Sequence, residues 1–102
     1  MLKELADAGK YINNCTQSIY AVDNKVQALA QVLCVAEEAG EFVGAVRRNM
    51  GLARRNGSMQ DVEDELADVI ISAFVAGAAL NIDIEKAIKS KLDKVMSRGW
   101  KE

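Results

Sequence analysis

The apolar residues of the chain recur at helical spacing in four stretches that are separated by short polar breaks. The first stretch runs from residue 2 to about 20, and one of its sides carries Leu2, Leu5, Ala8 and Ile12. Gly9 and the pair Asn13–Asn14 weaken this pattern, which allows the helix to break or end near residue 14. We predict a first helix here.

The second stretch is apolar on almost every face. Asp23 is suited to cap its N-terminus, and helical spacing continues to about Arg48. The apolar residues that point in different directions are Val26, Leu29, Val32, Leu33, Val35 and Phe42. A helix that is apolar on several faces is buried on several faces, either by the rest of a bundle or by a second subunit.

A loop is predicted between Asn49 and Gly57, where two glycines and two arginines occur without any period. Ser58 is followed three residues later by Asp61, which resembles a capping box with Asp in place of Glu. A third helix is therefore expected to begin here and to continue to about Leu80.

The fourth helix is delimited by polar residues at both of its ends. Asn81 is a good stop for the third helix, and Asp83 is a good N-cap for a last helix that ends near Arg98. Proline is absent from the chain, which favours uninterrupted helices. We predict an all-α fold, a bundle of four helices.

At 102 residues the chain is expected to form a single domain, residues 1–102, whose small core would gain from oligomerisation. The net charge of -2 gives no global reason to expect binding to nucleic acid or to an anionic membrane. The start, residues 1–5, is not a secretory leader, and no apolar run reaches membrane-spanning length. Two cysteines without a small-domain disulfide pattern favour reduced thiols, and a cytoplasmic location is expected.

The chain contains no histidine, which excludes several kinds of site. Catalysis by a histidine acid or base, zinc sites built on histidine, and di-iron bundles with a Glu-x-x-His motif all need that residue. The remaining candidates for chemistry are carboxylates and cations.

Two pairs of carboxylates, each pair three residues apart, are set in otherwise apolar helices: Glu38 with Glu41, and Glu65 with Asp68. Positions i and i+3 share a helix face, so the four carboxylates converge if the two helices pack side by side. Buried charges need a partner, and these helices carry too few cations to neutralise four acids. A hard divalent metal is the simplest compensator, and oxygen ligands favour Mg²⁺ or Mn²⁺.

The alternative is that these acids are solvated surface residues, as most charged residues are. The apolar neighbours of the second pair argue against a freely exposed face: Leu66, Val69, Ile70 and Ile71. The face of the first pair continues into Gln27 and Gln31, which suits the wall of a pocket. Glu37 lies about 100° around the helix from Glu38; it either accepts a proton from a metal-bound water or only flanks the site.

A stripe of cations lies on the last helix: Lys91, Lys94 and Arg98. Cations near a helix C-terminus complement its dipole, which is a sufficient structural explanation. The functional explanation is a clamp for the phosphates of a polyanionic substrate, because Mg²⁺ often binds through carboxylates together with substrate phosphates.

These motifs resemble those of the all-α nucleoside triphosphate pyrophosphohydrolases, the MazG-like group that also includes dimeric dUTPases and phosphoribosyl-ATP pyrophosphohydrolase. The group is marked by E-x-x-E, a spacer and E-x-x-D. The matching segments are Glu38-Ala39-Gly40-Glu41 and Glu65-Leu66-Ala67-Asp68, with Glu37 giving the extended form, and a basic tail from Lys91 to Trp100. The resemblance covers roughly residues 27 to 100.

The resemblance implies an obligate homodimer or homotetramer and Mg²⁺ bound by Glu38, Glu41, Glu65 and Asp68. The implied reaction is hydrolysis of a (deoxy)nucleoside triphosphate to its monophosphate and pyrophosphate, with nucleotide-pool cleaning as the expected role. Glu37 or Glu38 is expected to position the attacking water. The phosphates are expected to be bound by Lys91, Lys94 and Arg98. The base or sugar is expected to contact Gln27 and Gln31.

Two other interpretations stay open from the sequence. Within the same family the substrate could be phosphoribosyl-ATP or a damaged nucleotide. From a different class, the chain could be a non-catalytic helical interaction protein whose acids form a docking face.

Overall fold

The computed structural model describes residues 1–20 and 23–99, and 83% of them are helical. The four helices of this part of the chain are α1 (Leu2–Tyr20), α2 (Asn24–Asn49), α3 (Met59–Ala79) and α4 (Ile84–Arg98). The predicted all-α fold and its four helices are confirmed. The predicted break near residue 14 does not occur, because α1 is continuous across Asn13 and Asn14.

The polar residues predicted at the helix ends form the caps. Asp23 accepts a hydrogen bond from the Lys25 N–H at the start of α2, at 2.8 Å. Ser58 and Asp61 bond each other's backbone N–H groups at 3.1 and 3.2 Å, which completes the predicted capping box of α3. Asp83 caps α4, and Asn81 leaves the helical conformation with a φ of 57°. These local signals determine the boundaries because a cap satisfies N–H groups that the helix itself leaves unpaired.

Helix α3 is the centre of the fold. It makes its most extensive contact with α2, to which the loop of residues 50–58 joins it, and its next most extensive contact with α1. A short connection of this kind gives a hairpin of two antiparallel helices. The hairpin places the second half of α2 beside the first half of α3, which is where the two carboxylate pairs lie.

Helix α1 crosses α3 at Gly9. A Cβ atom at Gly9 would lie only 2.5 Å from the carbonyl oxygen of Phe74. The predicted apolar side of α1 is therefore partly wrong: Ala8 and Ile12 are exposed, whereas Gly9 and Asn13 are buried. The close backbone approach selects for the absence of a side chain, and this tertiary requirement outweighs the apolar periodicity.

The core that the described residues enclose is small. Its buried hydrophobic residues are Ala45, Phe74, Val75 and Ala76. Phe74 is the largest side chain among them. Much apolar surface of α2 stays outside the core, since Val26, Leu29 and Leu33 are 55%, 59% and 60% exposed. Within one chain the bundle does not bury these residues.

Helix α4 extends away from the hairpin. It turns by 116° from the direction of α3, touches only α1 and α3, and has no buried residue. Among the described residues no single helix is both long and apolar enough to cross a membrane; α3 and α4 reach that length and composition only as a pair, across this bend.

Candidate functional site

The pairing of α2 with α3 brings the predicted carboxylates together. Glu38, Glu65 and Asp68 each place one carboxylate oxygen within 4.8 Å of the others. Glu41 lies beside them, because its charge acts on both Glu38 and Glu65. The four acids form a carboxylate cluster between the second half of α2 and the first half of α3.

The two glutamates of the cluster that lie deepest have oxygens without a partner. Glu38 and Glu65 are half-buried, and the Oε2 atom of each is fully buried with no hydrogen-bond partner in the described part of the chain. Buried polar atoms in folded proteins are almost always satisfied, so these two oxygens call for a ligand. Glu41 and Asp68 face solvent and leave the cluster open on one side.

The exposed side of the cluster corrects one expectation from the sequence. The apolar neighbours of Glu65 and Asp68 were expected to bury this face, but Leu66 and Ile70 are themselves exposed. Val69, one turn after Glu65 on the same face of α3, is half-buried. The apolar flanks therefore do not shield Asp68 within one chain.

The electrostatics of the cluster favour a bound cation. Burial raises the pKa of Glu38, and the charges of Glu41 and Asp68, a hydrogen bond with Glu41 and the charge of Glu65 raise it further. The pKa of Glu65 is raised by burial, by the charges of Glu41 and Asp68 and by a hydrogen bond with Glu41, while Arg48 opposes the rise. Carboxylates that crowd one site disfavour each other's ionised form. A divalent cation bound among them would offset this repulsion.

The donor set fits a hard divalent metal. The candidate ligands are all carboxylate oxygens, with buried oxygens from two helices and exposed ones at the rim. Oxygen ligands of this kind suit Mg²⁺ or Mn²⁺. The prediction of a metal site is thus supported by the position of its carboxylates, while the identity of the metal stays a prediction.

Buried polar groups extend from the cluster along both helices, one on α3 and two on α2. Ser72, one turn beyond Asp68 on α3, has a buried hydroxyl oxygen without a hydrogen-bond partner in the described residues. Gln27 and Gln31 are also buried, with exposed fractions of 1% and 7%. Gln27 donates a hydrogen bond to Asn13 of α1 at 3.4 Å, so part of its role is to join α1 to α2.

Several predicted site residues do not meet the cluster within one chain. Glu37 is exposed on α2, about 100° around the helix from Glu38. Lys91, Lys94 and Arg98 are exposed on α4. Asp68 lies eleven residues before the end of α3, a distance of about 16 Å, and α4 begins beyond that end. Trp100, part of the basic tail, lies outside the described residues.

A large cavity lies away from the carboxylates. Its volume is about 790 Å³, and its lining comes from α1, the end of α3 and the start of α4, with only Asn24 from α2. No carboxylate of the cluster lines it. The chemistry of the cluster, rather than the size of a cavity, identifies the candidate site.

One cation beside the cluster was not found from the sequence. Arg48 is half-buried near the end of α2, and its charge acts on Glu65. The signal was available in the spacing: Arg48 follows Glu41 by seven residues, which is two helical turns and hence the same face. Because Arg48 lies just before the loop, the sequence suggested only that it marks the end of α2.

Comparison with protein families gives one match. The family described as the MazG nucleotide pyrophosphohydrolase domain matches residues 26–100, which include both carboxylate pairs and α4. The comparisons with curated proteins and with solved structures gave no match.

Proposed function

The chain belongs to the MazG nucleotide pyrophosphohydrolase family, and on that premise we propose that it hydrolyses (deoxy)nucleoside triphosphates to nucleoside monophosphate and pyrophosphate in a reaction that depends on Mg²⁺. Membership of the family supports a nucleotide pyrophosphohydrolase. The choice of triphosphates as substrate, of Mg²⁺ as metal and of pool cleaning as biological role is part of the proposal.

The observation that carries the proposal is the carboxylate cluster, with two buried oxygens that no group in the described residues hydrogen-bonds. Glu38, Glu41, Glu65 and Asp68 would hold the metal. When bound, Mg²⁺ supplies neutralisation of the charge on the phosphates and a lower pKa for a bound water. The same carboxylates would otherwise repel a polyanionic substrate, which explains why a metal is required rather than merely helpful.

The residues of the chain have the following roles in the proposal. Glu38 and Glu65 form the inner side of the site, because each is half-buried within a long helix. Glu41 and Asp68 face solvent, where a substrate would approach. Glu38 or the neighbouring Glu37 positions the attacking water and takes its proton; the position of Glu38 in the cluster favours Glu38.

The experiment that tests the proposal is an assay of pyrophosphate release from a panel of substrates, each with Mg²⁺ and with EDTA. The panel contains the common and modified (d)NTPs together with phosphoribosyl-ATP. Release of monophosphate and pyrophosphate that depends on Mg²⁺ is the expected result, and the preferred substrate follows from the ranking. A folded protein that is silent on the whole panel would contradict the proposal and favour a helical interaction protein.

We also propose that the working unit is a homo-oligomer, a dimer or a tetramer. The support is the apolar surface of α2, together with α4, where Leu92 and Met96 are 54% and 73% exposed. The radius of gyration, 15.9 Å, exceeds the value of about 13 Å expected for a compact domain of this length. A second copy would cover the exposed apolar faces, as hydrophobic surfaces of this extent usually mark interfaces.

Oligomerisation bears on the cations of α4. Within one chain Lys91, Lys94 and Arg98 are remote from the carboxylate cluster, so a role in binding phosphate requires the α4 of another copy. Their assignment as phosphate contacts is therefore tied to the proposed assembly.

A further inference from the structure

Arg48 is held in place by the loop that follows α2. Its carbonyl oxygen accepts hydrogen bonds from the N–H groups of Gly51 and Gly57, at 3.2 and 3.3 Å. Gly57 approaches so closely that a Cβ atom there would lie 3.0 Å from the Cβ of Arg48 and 3.7 Å from its Nε. The backbone and the stem of this arginine are thus fixed between the end of α2 and the start of α3.

The guanidinium group of Arg48 turns back along α2 toward the carboxylates. Its Nη1 atom lies 3.3 Å from the position that a Cβ of Gly44 would occupy. Gly44 follows Glu41 by three residues, or about 4.5 Å along the helix axis. The charge therefore sits one turn beyond Glu41 and next to the cluster, although the Cα of Arg48 is two turns away.

The charge of this guanidinium acts on Glu65, but its N–H donors are not engaged within the described part of the chain. No carboxylate or other acceptor in residues 1–20 and 23–99 forms an ion pair or hydrogen bond with it. Its five N–H donors form a planar fork that matches the oxygens of a phosphate group. A half-buried arginine whose donors have no acceptor in the described residues, beside a site for a metal that binds phosphates, is well placed to bind a phosphate oxygen.

We propose that Arg48 binds a phosphate oxygen of the substrate at the edge of the carboxylate cluster. This inference rests on the proposed function and adds to it a cation from the same chain as the acids, independent of α4 and of any second copy. Gly44 and Gly57 serve the arginine by leaving the space in which its side chain lies.

Neighbouring Arg47 provides a matched control. It is exposed, and its Nη2 atom donates to the carbonyl oxygen of Leu52 at 3.3 Å. It lies about 100° away from Arg48 around the helix, so it is turned away from this edge of the cluster. The variants Arg48→Gln and Arg47→Gln lose the same charge at adjacent positions.

The first measurement is calorimetric binding of inorganic tripolyphosphate in the presence of Mg²⁺, which probes phosphate recognition without a base or turnover. Removing a hydrogen bond to a charged group costs about one to two powers of ten in affinity. We expect Arg48→Gln to weaken binding about 10- to 100-fold and Arg47→Gln to change it by less than about twofold. Circular dichroism and thermal unfolding check that both variants are folded.

Two further variants test the position of the charge. Arg48→Lys keeps a cation without the fork and should recover part of the affinity. Gly44→Ala keeps the arginine but crowds its guanidinium, so it should weaken tripolyphosphate binding while the helix itself tolerates alanine.

Equal binding of tripolyphosphate by Arg48→Gln and Arg47→Gln would overturn the inference. The same holds if Arg48→Gln weakens only the binding of nucleoside triphosphates and not that of tripolyphosphate, since the arginine would then contact the base or sugar. The proposed function fails separately, if the wild-type protein with Mg²⁺ hydrolyses no substrate of the panel, whatever tripolyphosphate binding shows.

Discussion

Glu38 and Glu65 are the residues on which the account of the site depends most. Each comes from an acidic segment of the sequence, E-x-x-E or E-x-x-D, and each has a buried oxygen without a hydrogen-bond partner among the described residues. The face on which each lies with its partner in the segment could be predicted, because helical spacing is local. The same spacing places Arg48 on the face of Glu41, but its contribution depends on a side chain that reaches back over one turn and on a loop that holds it there.

The raised pKa values lead to a prediction about pH. Burial and neighbouring charges raise the pKa of Glu65 above its ordinary 4.5. As pH rises through 4.5, the unfolded chain releases this proton first, so the folded state loses stability until the pH passes the raised value. Without metal, Glu65→Gln should therefore unfold at the same temperature as the wild type near about pH 4 and at a higher temperature near about pH 7.5.

Thermal unfolding in EDTA across this pH range checks the prediction, and Glu63→Gln, exposed on the same helix, is the control. At the higher pH, Mg²⁺ should raise the melting temperature of the wild type and not that of Glu65→Gln, because ligand binding stabilises only the state that binds. A Glu65→Gln variant less stable than the wild type at neutral pH in EDTA would contradict the proposed repulsion.

At the scale of the helices, the ends could be predicted from the sequence better than the packing. Their ends followed from Asp23, Ser58, Asp61 and Asp83, because capping is a local interaction. The buried side of α1 did not follow, since it depends on how closely α1 approaches α3. The direction of α4 did not follow either, because a short connection limits the distance between two helices but not the angle of 116° that it adopts here.

The crossing of α1 and α3 gives a stability prediction. Gly9→Ala should destabilise the protein by about 2 kcal/mol or more, since the new methyl group meets the backbone of Phe74 and Val75 rather than a movable side chain. Helix propensity alone would give the opposite sign, a gain of about 0.5–1 kcal/mol.

Urea unfolding separates the cost of the backbone contact from the gain in helix propensity when Ala8→Gly is the reference. Ala8 is exposed on the same helix, so its change reports propensity without the crossing. If Gly9→Ala stabilises the protein by the amount that Ala8→Gly costs, the close approach of the two backbones is not present in solution.

At the scale of the whole molecule, the described residues leave a large part of their apolar surface exposed. The extents of the chain are 42 × 41 × 23 Å, so it is flat, and apolar side chains of α2 and α4 face solvent. The sequence already indicated exposed apolar surface on α2, because the apolar residues of this helix point in more directions than one bundle can bury. Which faces a second copy covers could not be predicted, because the pattern does not distinguish a core from an interface.

The proposed assembly predicts the effect of a charge on its apolar surface. Leu33→Glu should lower the mass measured by light scattering after size exclusion, because burying an unpaired carboxylate in an interface is costly. Ala8→Glu, which adds the same charge on the exposed side of α1, should leave the mass unchanged. A wild-type protein that is monomeric at high concentration would contradict the proposed oligomer.

If the carboxylate cluster performs metal-dependent hydrolysis, removing one of its ligands should stop turnover, whereas removing a nearby carboxylate outside the cluster should not. Asp68 is in the cluster, whereas Asp64, one turn earlier on α3, is exposed and accepts a hydrogen bond from Gln60. Pyrophosphate release from the preferred triphosphate with saturating Mg²⁺ should fall by at least about 100-fold in Asp68→Asn, as expected for the loss of a metal ligand. It should change by less than about twofold in Asp64→Asn, because an exposed carboxylate away from the cluster contributes little. Equal activity of the two folded variants would contradict the assignment of this cluster as the active site.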